Sequence, residues 1–259
     1  MKEMTAYQVV EAFQLAFCQE MFKQVEGRAF ALKGGGCLRF FHGSRRLSED
    51  IDFDVGRIRA DTLEKNVQNV FQSVGFKNIL RVVGIEEIKP TYPKKGDATQ
   101  RWKCELVRDS GDLVHTKVEF SRRKDPDEID YNTGEVLERF IEQYSVEKFK
   151  GQYYDLEDML IQKIYALADS NRWAVRDGFD IHFLLEQGVT IPAELESGLL
   201  EKVMEKMETL SWENFKGEVL PYLEEEAYER FNSEKKYRRL LSRLETEFLK
   251  HMDREGFSG

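Results

Sequence analysis

An α+β fold, with a mixed-sheet lobe followed by an all-helical lobe, is what three features of this 259-residue sequence predict. Residues 50–55 read Asp-Ile-Asp-Phe-Asp-Val, alternating acid and apolar with the period of a strand. Two further runs, 102–108 and 113–121, flank Asp109-Ser110-Gly111-Asp112 and read as a β-hairpin. From about Gly134 onward, apolar residues recur at helical spacing almost throughout. The expected division is therefore residues 1–143 and 144–259.

Element by element, the spacing predicts a first helix over 5–23, a short strand at 30–32, a glycine turn at Gly34-Gly35-Gly36, and the acidic strand at 50–55. Leu63, Val67, Val70 and Phe71 place a helix over 61–73. A strand is expected at 79–83, and a loop over 88–100 because Pro90, Pro93 and Gly96 fall there. After the hairpin come helices at 155–170, 173–187, 193–207, 212–222 and 225–251. Gly188 is expected to close one of these and Pro192 to open the next.

Composition narrows the class. With 41% hydrophobic and 34% charged residues the chain reads as an ordinary soluble protein. It has neither a secretory signal pattern nor an apolar run near 18 residues, so no membrane partner and a cytoplasmic location are expected. Cys18, Cys37 and Cys104 are odd in number and unpatterned, which fits free thiols in a reducing compartment. The four histidines show no metal spacing. Charge is uneven: residues 1–143 carry 23 Lys+Arg against 24 Asp+Glu, so most of the net charge of −9 lies in the remainder. The first part carries local basic groups, Arg45-Arg46, Arg57 with Arg59, Lys94-Lys95 and Arg122-Arg123-Lys124, and Lys235, Lys236, Arg238, Arg239 and Arg243 form a second cluster within the acidic remainder. A nucleic-acid partner would have to be held by a local patch of this kind.

The chemistry-bearing stretch is residues 33–54. Asp50 and Asp52 share one face of a strand, and two hard carboxylates on one face suit Mg²⁺ held jointly with substrate phosphates. Three like charges in a row, Asp54 included, repel unless a cation sits among them. The glycine turn lets backbone N–H groups approach a polyphosphate. Together these read as half of a two-metal nucleotidyl-transfer site. Farther on, Lys163 falls in the apolar stripe of its helix with Leu156, Leu160 and Leu167. It either snorkels or meets an anion in a cleft. Asp177 and Asp180 are one helical turn apart, and Lys163–Asp180 could be a purely structural pair.

The pattern Lys33-Gly34-Gly35-x-x-Leu38-Arg39, followed by Ser48-Glu49-Asp50-Ile51-Asp52-Phe53, resembles the AbiEii/AbiGii nucleotidyltransferase toxins of the DNA polymerase β-like superfamily. The resemblance covers roughly residues 30–187. It departs at Gly36, where the family usually carries a threonine or serine. It implies a polymerase β-like catalytic lobe with an active cleft completed by the helical lobe. It also implies a third carboxylate at Glu119, within Lys117-Val118-Glu119-Phe120, joining Asp50 and Asp52 on Mg²⁺ (or Mn²⁺). Gly34, Gly35 and Ser48 would then cradle the β- and γ-phosphates of an NTP. Lys163 would neutralise the triphosphate, and Asp180, in a segment similar to the family's Arg-Asp-Leu-Tyr-Asp-Leu, would orient it or the acceptor.

Three functional readings follow. The first is transfer of an NMP to RNA, a tRNA 3′ end, by a toxin with a separate antitoxin protein. The second is transfer to a small molecule or protein. The third is nucleotide binding without turnover, against which the acid triad argues.

Overall fold

Eight strands in one mixed sheet carry the first half of the chain. The computed structural model describes residues 4–25, 30–91, 94–96, 98–124, 130–144, 146–171, 175–196 and 198–254. Two compact units divide the chain, Met1–Tyr154 and Asp155–Gly259.

In the first unit, α1 (Ala6–Gln24) leads into β1 (Phe30–Lys33), α2 (Gly34–Phe40) and β2 (Ile51–Val55). There follow α3 (Ala60–Gln72), α4 (Val74–Val82), β3 (Ile85–Pro90), β4 (Lys94–Gly96), β5 (Thr99–Arg108) and β6 (Leu113–Ser121). The unit ends with β7 (Asn132–Glu135), α5 (Glu138–Tyr144) and β8 (Lys150–Tyr153). The sheet order is β3-β5-β6-β2-β1-β8-β7, with β4 also paired to β5. β2–β6 and β1–β8 are parallel and the other pairs antiparallel.

Thr5 starts α1 with a capping box closed by Gln8. The helix then lays Phe17 against Phe53, 6.3 Å between ring centroids, while Phe53 stacks on Phe120 at 4.8 Å. All three rings are fully buried. The apolar alternation of β2 is thus spent on the core, and its acidic positions fall on the other face.

Three expectations need correction in this unit. The 79–83 segment is helical: α4 is capped by Ser73 and buries Phe76 and Leu80, four residues apart. The stretch 88–100 is mostly strand. Pro90 ends β3, a position where no ladder N–H is required, while Pro93 lies outside the described residues. Beyond Gly134 the chain is not all helical, because β7 and β8 return to the sheet. Gly151 lies on Phe22, where a Cβ would come within 2.6 Å of the ring, a close approach that hides the strand from pattern reading.

The second unit comprises α6 (Leu156–Ala168), α7 (Val175–Glu186), α8 (Leu199–Glu208), α9 (Trp212–Glu218), a 3-10 turn (Leu220–Tyr222), α10 (Glu225–Phe231) and α11 (Glu234–Arg254). Its core holds Phe179, Phe215, Phe231 and Tyr237, with Phe215 and Tyr237 rings 4.5 Å apart. Gly188 follows α7 at φ 86°, as its sequence position suggests. Pro192, however, opens no helix. α8 starts at Leu199, after Gly198 in the left-handed conformation. Pro221 stops α9 short of residue 222, and Asn232-Ser233 divides the long terminal helix in two. The expected start of α7 at Trp173 falls outside the described residues.

Candidate active site

Backbone register sets the site. Lys33 on β1 faces Asp52 on β2, Asp52 faces Glu119 on β6, and Glu119 faces Arg101 on β5. Register partners share a sheet face, so one rung carries the sequence cation, acid, acid, cation across four strands. Asp50 stands two residues before Asp52, and its Oδ2 accepts from Lys117 Nζ at 2.7 Å. Glu119 Oε2 accepts from Arg101 at 2.5 Å. These pairs are partly solvated, with Arg101 and Lys117 each about two-fifths exposed.

The glycine turn presses on this rung. Gly34 sits at φ 66°, and a Cβ there would lie 3.2 Å from Asp52 Oδ2. At Gly35 a Cβ would come within 2.7 Å of Ser48 Oγ and 3.0 Å of the Arg46 guanidinium. Gly35 leaves too little space for a Cβ unless Ser48 shifts, and Gly34 favours glycine for its conformation. Gly36 differs. A Cβ there would meet Ile51 and Leu32 at 3.7 Å in ordinary apolar contact, so the residue faces packing. Ser48 donates its hydroxyl to the Asp50 carbonyl at 2.8 Å, and its own carbonyl accepts from Gln14 Nε2 at 3.1 Å. Its visible role is to fix the chain entering the acidic strand.

Asp54 proves different from Asp50 and Asp52. It is buried, bridged by Lys33 Nζ, the cation that three acids in a row call for, and accepts from the Tyr154 hydroxyl at 2.9 Å. Tyr154 lies 100 residues away in sequence, which is why no local pattern indicates it.

Sequence reasoning also passed over Arg39. Fully buried on α2, it forks onto Glu11 of α1 and donates to the Ser44 carbonyl at 2.8 Å. Glu11 also accepts from the Tyr144 hydroxyl. This network ties the short glycine-started helix to α1 and α5. An arginine amid Leu38, Phe40 and Phe41 was the available signal, since a buried guanidinium needs partners.

In the second unit Lys163 is neither snorkelling nor solvated. Its Nζ lies 2.9 Å from Asp177 Oδ1 and 2.7 Å from Asp180 Oδ2, all three residues being buried. Asp177, not chosen from sequence, is therefore an equal partner of Asp180.

For a divalent cation, the donor set of Asp50, Asp52 and Glu119 offers hard oxygens on one sheet face, and the chemistry fits. Among the described residues no three His, Cys, Asp or Glu side chains are grouped as a ready-made metal site. The reason is visible: Asp50 and Glu119 are turned onto Lys117 and Arg101. Metal binding at these residues requires those ion pairs to be exchanged.

Acids thus face one another on adjoining strands beside a glycine-started helix. The family model described as nucleotidyl transferase AbiEii toxin, type IV TA system, matches residues 17–254, and the chain belongs to that family. It is accordingly a nucleotidyltransferase. Among solved structures, the chain is similar to MenT4, nucleotidyltransferase toxin Rv2826c from Mycobacterium tuberculosis H37Rv. The TM-score is 0.58 at 16% identity, covering 98% of this chain and 95% of that one. It is also similar to JHP933 from Helicobacter pylori, with TM-score 0.50, 20% identity and coverage of 78% and 74%. At such identities the likeness concerns the fold. No curated protein matches the sequence. Among the described residues, no helix is long and apolar enough to cross a membrane.

Proposed function

We propose that the protein transfers an NMP from an NTP to RNA, at a tRNA 3′ end, in a reaction dependent on Mg²⁺ or Mn²⁺. Asp50, Asp52 and Glu119 are the residues that would hold the metal. The observation carrying this reading is the rung in which Asp52 faces Glu119 with Asp50 beside it. When bound, the metal supplies charge neutralisation and stabilises attacking and leaving oxygens during displacement at phosphorus.

The chain's own residues do the rest. Backbone N–H groups of Gly34 and Gly35 approach the β- and γ-phosphates, with no Cβ to hinder the approach. Ser48 acts by holding Asp50 in place, with its hydroxyl available to phosphate if that bond is exchanged. Lys163 supplies positive charge to the triphosphate, and Asp177 and Asp180 hold its ammonium in one position. Glu119 is the candidate base for the acceptor hydroxyl once Arg101 releases it. The family's type IV toxin–antitoxin setting supports a toxic acceptor modification and a cognate antitoxin encoded separately.

Incubation with each α-³²P-labelled NTP, Mg²⁺ or Mn²⁺ and total bacterial RNA tests the reading. Label in tRNA is the expected result. Label confined to protein or small molecules would overturn the acceptor, and label transfer unaffected by EDTA would overturn the metal.

A further inference from the structure

We infer that the exposed face of α11 is the docking surface for the phosphodiester backbone of the acceptor RNA; this rests on the RNA reading above. The inference starts from charge distribution. Residues 155–259 hold 23 Asp+Glu against 14 Lys+Arg. Five of those 14, Lys235, Lys236, Arg238, Arg239 and Arg243, fall within nine consecutive residues that include no acid.

Helix geometry then sorts them. Tyr237, Leu240, Leu244 and Phe248 are buried, fixing which side of α11 faces the core. Lys235, Arg238, Arg239 and Ser242 lie on the exposed side at one-turn spacing, with Thr246 a turn farther along. They line, with Glu234, a shallow groove of about 510 Å³. Glu234 is already neutralised by Arg238 at 2.7 Å. Arg243 is committed to Glu186, and Lys236 donates to Asn232. Lys235 and Arg239 have no acidic partner among the described residues. Two uncommitted cations one turn apart, continued by the hydroxyl of Ser242, make a short strip of donors, while the Thr246 hydroxyl is spent on the Ser242 carbonyl at 2.7 Å.

That chemistry suits a polyanion. Phosphate contacts come from Arg, Lys, Ser and Thr and carry no sequence requirement. A protein partner would call for a buried aromatic or aliphatic anchor at the centre. The groove has none; the nearest exposed large apolar residue on this face, Leu249, lies two turns beyond Ser242.

The test uses the full chain carrying Lys235→Glu and Arg239→Glu, with Lys202→Glu and Lys216→Glu as an equally charged exposed control. Binding of fluorescein-labelled tRNA is read by anisotropy at several salt concentrations, alongside KM for tRNA and for NTP. The expected result is a tRNA Kd and KM raised more than about 10-fold, with NTP KM unchanged. The slope of log K against log salt should fall by about 2, one per cation removed. The control should stay within about 3-fold of the unaltered protein. Unchanged tRNA binding in the first variant, or equal loss in the control, would overturn the inference while RNA labelling by the unaltered protein left the RNA reading standing. If the unaltered protein neither binds nor labels tRNA, both fall. Binding of poly-glutamate but not tRNA would assign the face to an acidic protein instead, also overturning it.

Discussion

Asp52 and Glu119 face each other in register on the parallel strands β2 and β6, although 66 intervening residues separate them in sequence. Two carboxylates at neighbouring strand spacing repel, and the sheet tolerates them because Lys33 and Arg101 occupy the flanking strands of the same rung. This is a fold-imposed concentration of negative charge that a divalent cation can relieve.

Removing either acid should therefore uncouple activity from folding. Asp52→Ala is expected to cut NMP transfer by about 10²–10³-fold or more, since preorganised charge at a reacting phosphate is worth several kcal/mol. Both residues line a partly solvated face, so the melting temperature should hold or rise. Circular dichroism melts beside label transfer check this, and full activity would remove Asp52 from the site.

The glycine turn makes a steric prediction. Gly35→Ala places a methyl within 2.7 Å of Ser48 Oγ, forcing Ser48 off the Asp50 carbonyl. Overpacking of this kind costs about 1–3 kcal/mol. Because the clash involves the hydroxyl, adding Ser48→Ala should return part of the lost stability, giving a non-additive cycle. Additive losses in urea unfolding would show that Ser48 and Gly35 do not communicate.

Lys163 can be tested by stability as well as by turnover. A snorkelling lysine would tolerate Lys163→Met. The observed lysine instead balances Asp177 and Asp180, and its removal takes a buried positive charge away from two buried carboxylates. A cost of about 3–5 kcal/mol is expected. Adding Asp177→Asn should recover part of it. A melting temperature unmoved by Lys163→Met would contradict the triad.

How much of this was legible follows one rule. Patterns with short periods were readable: the hairpin of β5 and β6, the acid–apolar alternation of β2, the glycine turn, the Lys163 stripe. Contacts that close over long sequence distances were not. Tyr154 on Asp54, Tyr144 on Glu11 and the return of β7 and β8 to the sheet depend on partners roughly a hundred residues away. The second shortfall lay in short apolar runs. Residues 79–83 suit a strand by composition, yet Phe76 and Leu80 bury one helical face, and tertiary packing decides between the two.

His182 predicts a pH dependence in the helical unit. Burial lowers its pKa from 6.5 to about 4, aided by Arg243 and Arg230 and opposed by Glu186. Among the described residues neither ring nitrogen finds a hydrogen-bond partner, Nε2 lying 3.5 Å from Glu186 Oε1. The folded state thus keeps the imidazole neutral where the unfolded chain protonates it. The associated stability is complete above about pH 6.5 and lost progressively toward pH 4, amounting to roughly 3 kcal/mol. Although burial opposes its charged form, Glu186 is held below its ordinary value by Arg230, His182 and Arg243, and its contribution is lost at still lower pH. His182→Phe should flatten the dependence between pH 6.5 and 4 in urea titrations. An unchanged slope would exclude His182 as its source.

Asp54 separates metal ligation from structural support. It lies on the same strand as Asp52 but is occupied by Lys33 and Tyr154 and is almost inaccessible. Asp54→Asn should lower the melting temperature, because Lys33 loses its counter-charge, at a cost of about 3 kcal/mol or more. The rise in melting temperature produced by Mn²⁺ should nevertheless survive, since metal binding to the folded state is linked only to the residues that hold it. Asp50→Asn and Glu119→Gln should behave in the opposite way: near-normal melting without metal and a diminished Mn²⁺ shift. Arg101→Met, by freeing Glu119 from its guanidinium, should enlarge that shift at subsaturating Mn²⁺. An Mn²⁺ response lost in Asp54→Asn but kept in Glu119→Gln would move the metal to the Lys33 side of β2 and away from the Asp52–Glu119 rung.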